Sequence, residues 1–256
     1  SILLRVGSGM VWDDFVAYAV ENNYYGIENL SLIPGQVGAS AVQNIGAYGV
    51  EVSQLIEAVH ARHYRTGESR VFRNEDCRYA YRYSIFKEPD YAEWAIMYVD
   101  YRLRLRPSFS LEYKALAKVL EEERITPTLQ SIRDTVIRIR NSKLPDPATI
   151  GNAGSFFVNP VVSAEKFNTL QTEYPSIPSY PQPDGSVKVP AGWLIEQCGY
   201  KGHRSGAVGV YEHQALVLVN YGGATGTQVG ALAEEIIGNV RQKFGITLHP
   251  EVKYIL

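Results

Sequence analysis

NLSLIPGQVGASAVQNIGAYGVE, residues 29–51, is the stretch from which the rest of the chain is read. It carries glycines at 35, 38, 46 and 49, with Gly26 just upstream, and no charge between Glu28 and Glu51. Neither a helical nor a strand period runs through it. A run of about 20 residues without regular structure is uncommon in a compact domain, and is then either functional or disordered. Disorder requires charge and low hydrophobicity. Here Leu30, Leu32, Ile33, Val37, Val42, Ile45 and Val50 are available for burial. The stretch reads as an ordered loop whose glycines let backbone come close to a partner. Bare amides without competing side chains suit a planar, hydrogen-bonding ligand. A packed structural loop is the competing reading.

Upstream, Ile2–Val6 alternates as a strand, and Gly7-Ser8-Gly9 reads as a turn. There is no initiator Met, as expected of a chain that starts inside a domain. Trp12–Asn22 has apolar residues at helical spacing, with Asp13 and Asp14 placed to complement the helix dipole. Downstream of the loop, Leu55–Tyr64 and Ser69–Arg73 read as a hairpin around Arg65-Thr66-Gly67-Glu68. Ala92–Arg106 reads as a long strand, and Cys77–Lys87, CRYAYRYSIFK, lies between. Helices are expected at Ser110–Arg124, with Ser110 as N-cap, and at Thr128–Ser142. In the latter Leu129, Ile132, Val136 and Ile139 form the apolar stripe, and Arg133, Arg138 and Arg140 lie largely off it. Leu144-Pro145-Asp146-Pro147 stops that helix and marks a domain boundary.

Beyond the boundary come GNAGSFFVNP (151–160), a helix near Ser163–Tyr174 and a proline-rich surface loop at 175–184. Helix Ala191–Cys198, strand Ala215–Asn220, helix Thr225–Phe244 and a closing strand Glu251–Leu256 follow. Strands and helices mix without regular βαβ alternation, so the fold class is α+β.

Composition excludes more than it assigns. The 256 residues are 45% hydrophobic and 20% charged, with a formal net charge of −2, so no electrostatic pull toward nucleic acid or an anionic membrane is expected. Neither a membrane span nor a signal peptide is legible. Two distant cysteines, Cys77 and Cys198, read as free thiols of a reducing cytosol. The histidines have no metal-ligand spacing, and Gly7-Ser8-Gly9 lacks the third glycine of a dinucleotide fingerprint. Ser155 lacks a GxSxG elbow and a nearby histidine, which disfavours a hydrolase. It nonetheless follows Gly154 closely and precedes Phe156-Phe157, where a rigidly held hydroxyl could deliver a proton to a carbanion. Lys143, Arg82, Tyr113 and Asn159 offer groups suited to phosphate or carboxylate. By composition alone each is more often a surface or structural residue.

Seven ordered motifs carry a family resemblance over essentially the whole chain. They are the 29–51 stretch, CRYAYRYSIFK, NSKLPDP, GNAGSFFVNP, AGWLIEQCG, HQALVLVN and HPEVKYI. In order and spacing they resemble the UDP-N-acetylenolpyruvylglucosamine reductases (MurB), of the type with a tyrosine loop. The resemblance implies a cytoplasmic, monomeric flavoenzyme of peptidoglycan synthesis with FAD as cofactor and NADPH as co-substrate. Hydride would pass from the flavin to C3 of the enolpyruvyl group of UDP-N-acetylglucosamine enolpyruvate, and protonation at C2 would give UDP-N-acetylmuramate. It further implies Ser155 as general acid, and Arg82 with Glu251 as the pair polarising the enolpyruvyl carboxylate. Tyr113, Lys143, Asn159 and Gln214 would hold the diphosphate and sugar. Ile33, Pro34, Gly35, Gly38, Ser40, Asn44, Gly46, Ala47 and Tyr48 would form the wall against the flavin.

The implied fold is an incomplete FAD-binding lobe of the vanillyl-alcohol-oxidase kind at 1–144 and a smaller α+β substrate lobe at 145–245. The tail 246–256 is expected to return to the first lobe. Ala41-Val42 stands where the family has Pro-Ile, which removes no functional group. The family's N-terminal subdomain, with its glycine-rich turn for the FAD pyrophosphate, has no counterpart in these residues. A UDP-sugar-binding module without flavin is therefore the alternative. A different oxidase of the same superfamily is disfavoured by Ser155, by Glu251 and by the lack of a covalent flavin attachment site.

Overall fold

A computed structural model describes residues 1–255, and they divide into two compact units after Arg140. In the first unit, β1 (Ile2–Gly7) pairs antiparallel with β6 (Trp94–Leu103), which pairs with β4 (Ile56–His63), which pairs with β5 (Ser69–Arg73). Val99 lies opposite Val6 and Val59, and Phe72 opposite Val59, so one face of this sheet is apolar. Helix α1 (Trp12–Glu21) covers it with Trp12, Phe15, Val16, Ala19 and Val20. The rings of Trp12, Phe15 and Tyr101 meet at centroid distances of 4.9–5.9 Å. Burying such rings removes about 150–250 Å² each from water, the largest single contributions to this core.

Successive strand residues face opposite ways. Asp100, between buried Val99 and Tyr101, therefore leaves the apolar face and accepts hydrogen bonds from Arg5 (Nε 2.8 Å, Nη2 3.0 Å) and His60 Nε2 (2.8 Å). The Arg5 hydrogen bonds hold this carboxyl below its ordinary 3.8, with burial opposing and His60 assisting. A depressed folded pKa contributes stability that is present above the unfolded value and is lost as pH falls through the folded one. The urea midpoint of the protein is thus expected to fall as pH drops below about 4. Asp100→Asn is expected to flatten that acid limb; an unchanged limb would show that Asp100 does not contribute to it.

The 29–51 stretch is more regular than its sequence suggests. A 3₁₀ turn at Glu28–Leu30 is followed by helix α2 (Val37–Gln43) and a hairpin of β2 (Gly46–Ala47) and β3 (Val50–Glu51). Two helical turns are too short to display a period. The start of α2 depends on non-local acceptors: Val37 N–H donates to Met10 O and Gly38 N–H to Ser8 O, each at 2.9 Å. Gly38 permits this, since a Cβ there would stand 2.9 Å from Ser8 Cβ.

Helix α3 spans Lys114–Glu122, later than expected, with Tyr113 rather than Ser110 at the N-cap. The Ser110 carbonyl is instead bound by Asn29. Helix α4 (Leu129–Lys143) packs Ile132, Val136 and Ile139 on Leu116 and Leu120, as its stripe predicts. The division after Arg140 falls inside α4, before the prolines that end it.

The second unit holds a sheet ordered β11 (Arg204–Ser205), β12 (Val208–Val210), β13 (Val217–Asn220) and β7 (Gly151–Ser155). A smaller sheet runs β8 (Val161–Val162), β10 (Val187–Lys188), β9 (Tyr180–Pro181). Helices α5 (Ala164–Glu173), α6 (Ala191–Gln197) and α7 (Gly226–Phe244) complete the unit. Thr225 and Gln228 form a capping box that starts α7, and Gly245 at φ +63 ends it. The expected closing strand is absent among the described residues; residue 256 lies outside them. A single bridge, Phe157 to Pro250, stands in its place. Val158 N–H donates to His249 O and Glu251 N–H to Phe156 O, so the first tail residues belong to the second unit. The mixture of helices with antiparallel sheets bears out the α+β class.

Candidate functional site

In the first unit the uncharged stretch presents two kinds of surface. Pro34 and Gly35 are exposed, Ile33 is half-buried, and nothing stands within 4 Å of the place a Gly35 Cβ would occupy. Gly35, at φ +114, has a conformation suited to glycine. Gly46, Ala47 and Tyr48 are half-buried, and Tyr48 is itself left-handed at φ +47. Beneath them, Ser40 is buried and its hydroxyl bonds Val37 O (2.7 Å) and Tyr101 Oη (2.8 Å). Asn44, fully buried, donates to Ala80 O and Glu51 and accepts from Ser53 N–H. The side chains of Ser40 and Asn44 therefore brace the loop from within. Any contact they make with a flat ligand would run through backbone.

Arg82 is bound to the same loop. Its Nη2 donates to Gly46 O at 2.7 Å and its Nη1 to Asn44 O at 3.4 Å. A Cβ on Gly46 would stand 2.9 Å from that guanidinium and 3.0 Å from Val50 O, so a side chain there would crowd the approach. Arg82 sits at φ +55, and Lys87 Nζ donates to its carbonyl at 2.8 Å. A left-handed non-glycine residue held by its surroundings is the kind of strain that clusters at ligand sites. Tyr113 is 41% exposed, with its ring edge-on to Tyr48 at 5.4 Å.

Gln43, Arg140 and Asp13 stand in environments that the sequence did not indicate. Gln43 Oε1 is buried without a hydrogen-bond partner among the described residues. It is an acceptor that a ligand N–H in this loop could use, which agrees with a hydrogen-bonding planar ring. Arg140, read as off the stripe, is half-buried; its Nε donates to Leu32 O at 3.1 Å. Burial lowers its pKa, with Tyr48 and Asp13 acting the other way, and it places a cation beneath the loop. Asp13 takes both guanidinium nitrogens of Arg133 at 2.8 Å and the Leu32 N–H. No sequence signal distinguishes these arginines from a solvated helix face.

In the second unit, Ser155 ends β7 opposite Val217 and is exposed. Gly154 beside it, at φ +71 with open space at its Cβ position, leaves the hydroxyl unshielded. The following residue is fixed twice: Phe156 N–H donates to Leu216 O, and Phe156 O accepts from Glu251 N–H, each at 2.8 Å. Ser155 and Glu251, from opposite ends of the unit's sequence, are thus brought to one corner. Asn159 Oδ1 accepts from Ala191 N–H (2.9 Å) at the start of α6, and Gln214 Oε1 lies 3.2 Å from where a Gly192 Cβ would be. Those two polar side chains share that end of α6. Lys143 is exposed at the end of α4. Among the described residues no His, Cys, Asp or Glu group could hold a metal ion, and no helix is long and apolar enough to cross a membrane.

Comparison with known proteins bears on both units. A family model for the C-terminal domain of UDP-N-acetylenolpyruvoylglucosamine reductase matches residues 146–255, and one for an FAD binding domain matches residues 2–67. The chain is 99% identical over 256 residues to a UDP-N-acetylenolpyruvoylglucosamine reductase of Porphyromonas gingivalis, covering all of this chain and 76% of that protein. It is 52% identical over 254 residues to the enzyme of that name from Bacteroides fragilis, covering 99% and 76%. A crystal structure of the Thermus caldophilus reductase superposes with a TM-score of 0.65 at 24% identity, covering 98% of this chain and 71% of that one. At that identity the likeness speaks for the fold.

Proposed function

The chain belongs to the UDP-N-acetylenolpyruvoylglucosamine reductase family, and on that premise we propose that its residues serve the reduction of UDP-N-acetylglucosamine enolpyruvate to UDP-N-acetylmuramate. It is an FAD-dependent oxidoreductase that uses NADPH. FAD, when bound and reduced by NADPH, would supply the hydride for C3 of the enolpyruvyl group. The exposed Pro34-Gly35 backbone, the Gly46–Tyr48 segment and the Gln43 acceptor fit the flat, hydrogen-bonding ring of that cofactor. The match of residues 2–67 to an FAD binding domain weighs against a sugar-binding module without flavin.

What the chain's own groups contribute follows from charge. Addition at C3 places negative charge on C2 and the adjoining carboxylate. Arg82, held on the Gly46 carbonyl, supplies a fixed cation suited to that carboxylate. Charges fixed in advance where negative charge develops supply much of the rate enhancement in such reactions. Glu251 takes part from the corner it shares with Ser155. Ser155 delivers the proton to C2, because its hydroxyl is exposed while its backbone is fixed at the end of a ladder. The observation that carries this reading is that corner, where the 251 N–H is hydrogen-bonded to the residue after Ser155.

Tyr113, Lys143, Asn159 and Gln214 take the diphosphate and sugar without a metal. Affinity for UDP-N-acetylglucosamine, measured by calorimetry on the full-length protein, is then expected to fall with added salt and about tenfold with Lys143→Ala. EDTA is expected to leave it unchanged. A large EDTA effect would overturn the metal-free arrangement. The reading as a whole is tested by flavin absorbance and by substrate-dependent NADPH oxidation.

A further inference from the structure

Asn29 takes no part in the chemistry above, yet it is only 1% exposed and both hydrogens of its amide are engaged. Nδ2 donates to Tyr48 O and to Ser110 O, each at 2.8 Å, across 19 and 81 residues of sequence. Two carbonyl acceptors fix which end of the amide is nitrogen. Oδ1, at the other end, is buried without a partner among the described residues. An unmet buried acceptor is destabilising, so the fold carries a cost to place those two donors. Among side chains this short, only a carboxamide offers two N–H groups from one atom; serine offers one donor and aspartate none.

The two clamped carbonyls belong to segments that meet at Tyr113. Tyr48 and Gly49, at φ +47 and +84, form the turn of the β2–β3 hairpin. A Cβ on Gly49 would lie 3.7 Å from Ser110 Oγ and 3.9 Å from Tyr113 Cβ. The Tyr48 and Tyr113 rings stand edge to face at 5.4 Å. Residues 107–112 have no regular secondary structure, so no strand ladder sets where α3 begins. The hydrogen bond from Asn29 reaches Ser110 three residues before Tyr113, the N-cap of α3.

We propose that Asn29 is a positioning residue that sets Tyr113 for the substrate's diphosphate by clamping the Tyr48–Gly49 turn to the Ser110–Tyr113 segment. The inference rests on the reading of Tyr113 given above. It is tested in the full-length protein with Asn29→Ala, the milder Asn29→Ser, Tyr113→Phe and both double variants. Binding of UDP-N-acetylglucosamine is followed by calorimetry, with KM and kcat for the enolpyruvyl substrate and the thermal midpoint alongside.

Asn29→Ala is expected to weaken binding about tenfold and to raise KM while kcat stays near wild type, with Asn29→Ser in between. In the Tyr113→Phe background the same changes are expected to add less than about twofold, because the two residues act as one unit. Asn29 effects that multiply fully with Tyr113→Phe, or no loss of binding in either Asn29 variant, would overturn the inference. Tyr113→Phe without effect would instead remove the reading of Tyr113, and a persisting Asn29 effect would then show that Asn29 acts elsewhere. Should Asn29→Ala not fold, Asn29→Ser and its double variant decide by the same criteria.

Discussion

Replacing Ser155 with alanine in the full-length protein is expected to slow reduction of the enolpyruvyl group by about 10²-fold or more, the usual weight of a positioned general acid. Bleaching of the flavin by NADPH needs no proton at the substrate's C2, and is expected to proceed near its wild-type rate. Stopped-flow absorbance separates the two, first following bleaching and then reoxidation by substrate. Ser155→Cys is expected to retain more activity than alanine, since a thiol still donates a proton. The change is expected to spare the fold, because Ser155 is exposed at the end of β7 and its ladder contacts are made by backbone. Reoxidation at the wild-type rate would remove Ser155 from the proton step. Loss of the bleaching step instead would assign the serine to shaping the pocket used by the nicotinamide.

The second large effect concerns stability. Asp13→Ala is expected to destabilise the protein by about 3–5 kcal/mol, the cost of leaving a largely buried partner charge uncompensated. That partner is Arg133, whose side chain is 12% exposed and donates two 2.8 Å bonds to the carboxylate. The carboxylate also accepts the Leu32 N–H, where the backbone turns left-handed at φ +57. One side chain thus ties α1, the start of the glycine-rich stretch and α4 together. Burial pushes the Asp13 carboxyl up, and the hydrogen bonds from Arg133 and Leu32 together with the charges of Arg133 and Arg140 more than offset it, leaving it below its ordinary value.

Denaturant unfolding measures the change directly. Asp13→Leu combined with Arg133→Met is expected to recover most of the loss, since an apolar pair of similar volume leaves no charge unpaired. If the double variant is as unstable as Asp13→Ala, the loss comes from the Leu32 turn and not from the ion pair. Flavin affinity is expected to fall with Asp13→Ala in either case, because Ile33 and Pro34 follow directly on the loosened residue.

Elements whose signals are local could be read from the residues alone. Helix α4 was legible because Leu129, Ile132, Val136 and Ile139 recur at its period, and α7, expected at Thr225–Phe244, spans Gly226–Phe244. The β4–β5 hairpin was legible from alternation and its turn. The motifs located Arg82, Ser155 and Glu251 along the chain, and they identified the family. Where those residues stand emerged from the folded chain alone. Helix α2 exists because Ser8 and Met10 offer carbonyls to its first turn, and α3 starts at Lys114, past Ser110, whose carbonyl Asn29 binds. Arg133 and Arg140 read only as lying off the apolar stripe of α4, whereas in the fold they bind the Asp13 carboxylate and the Leu32 carbonyl. One physical cause underlies all of these. A local period reports which side of an element is apolar, whereas a buried donor or charge is stable only beside a partner that the chain brings from far away in sequence.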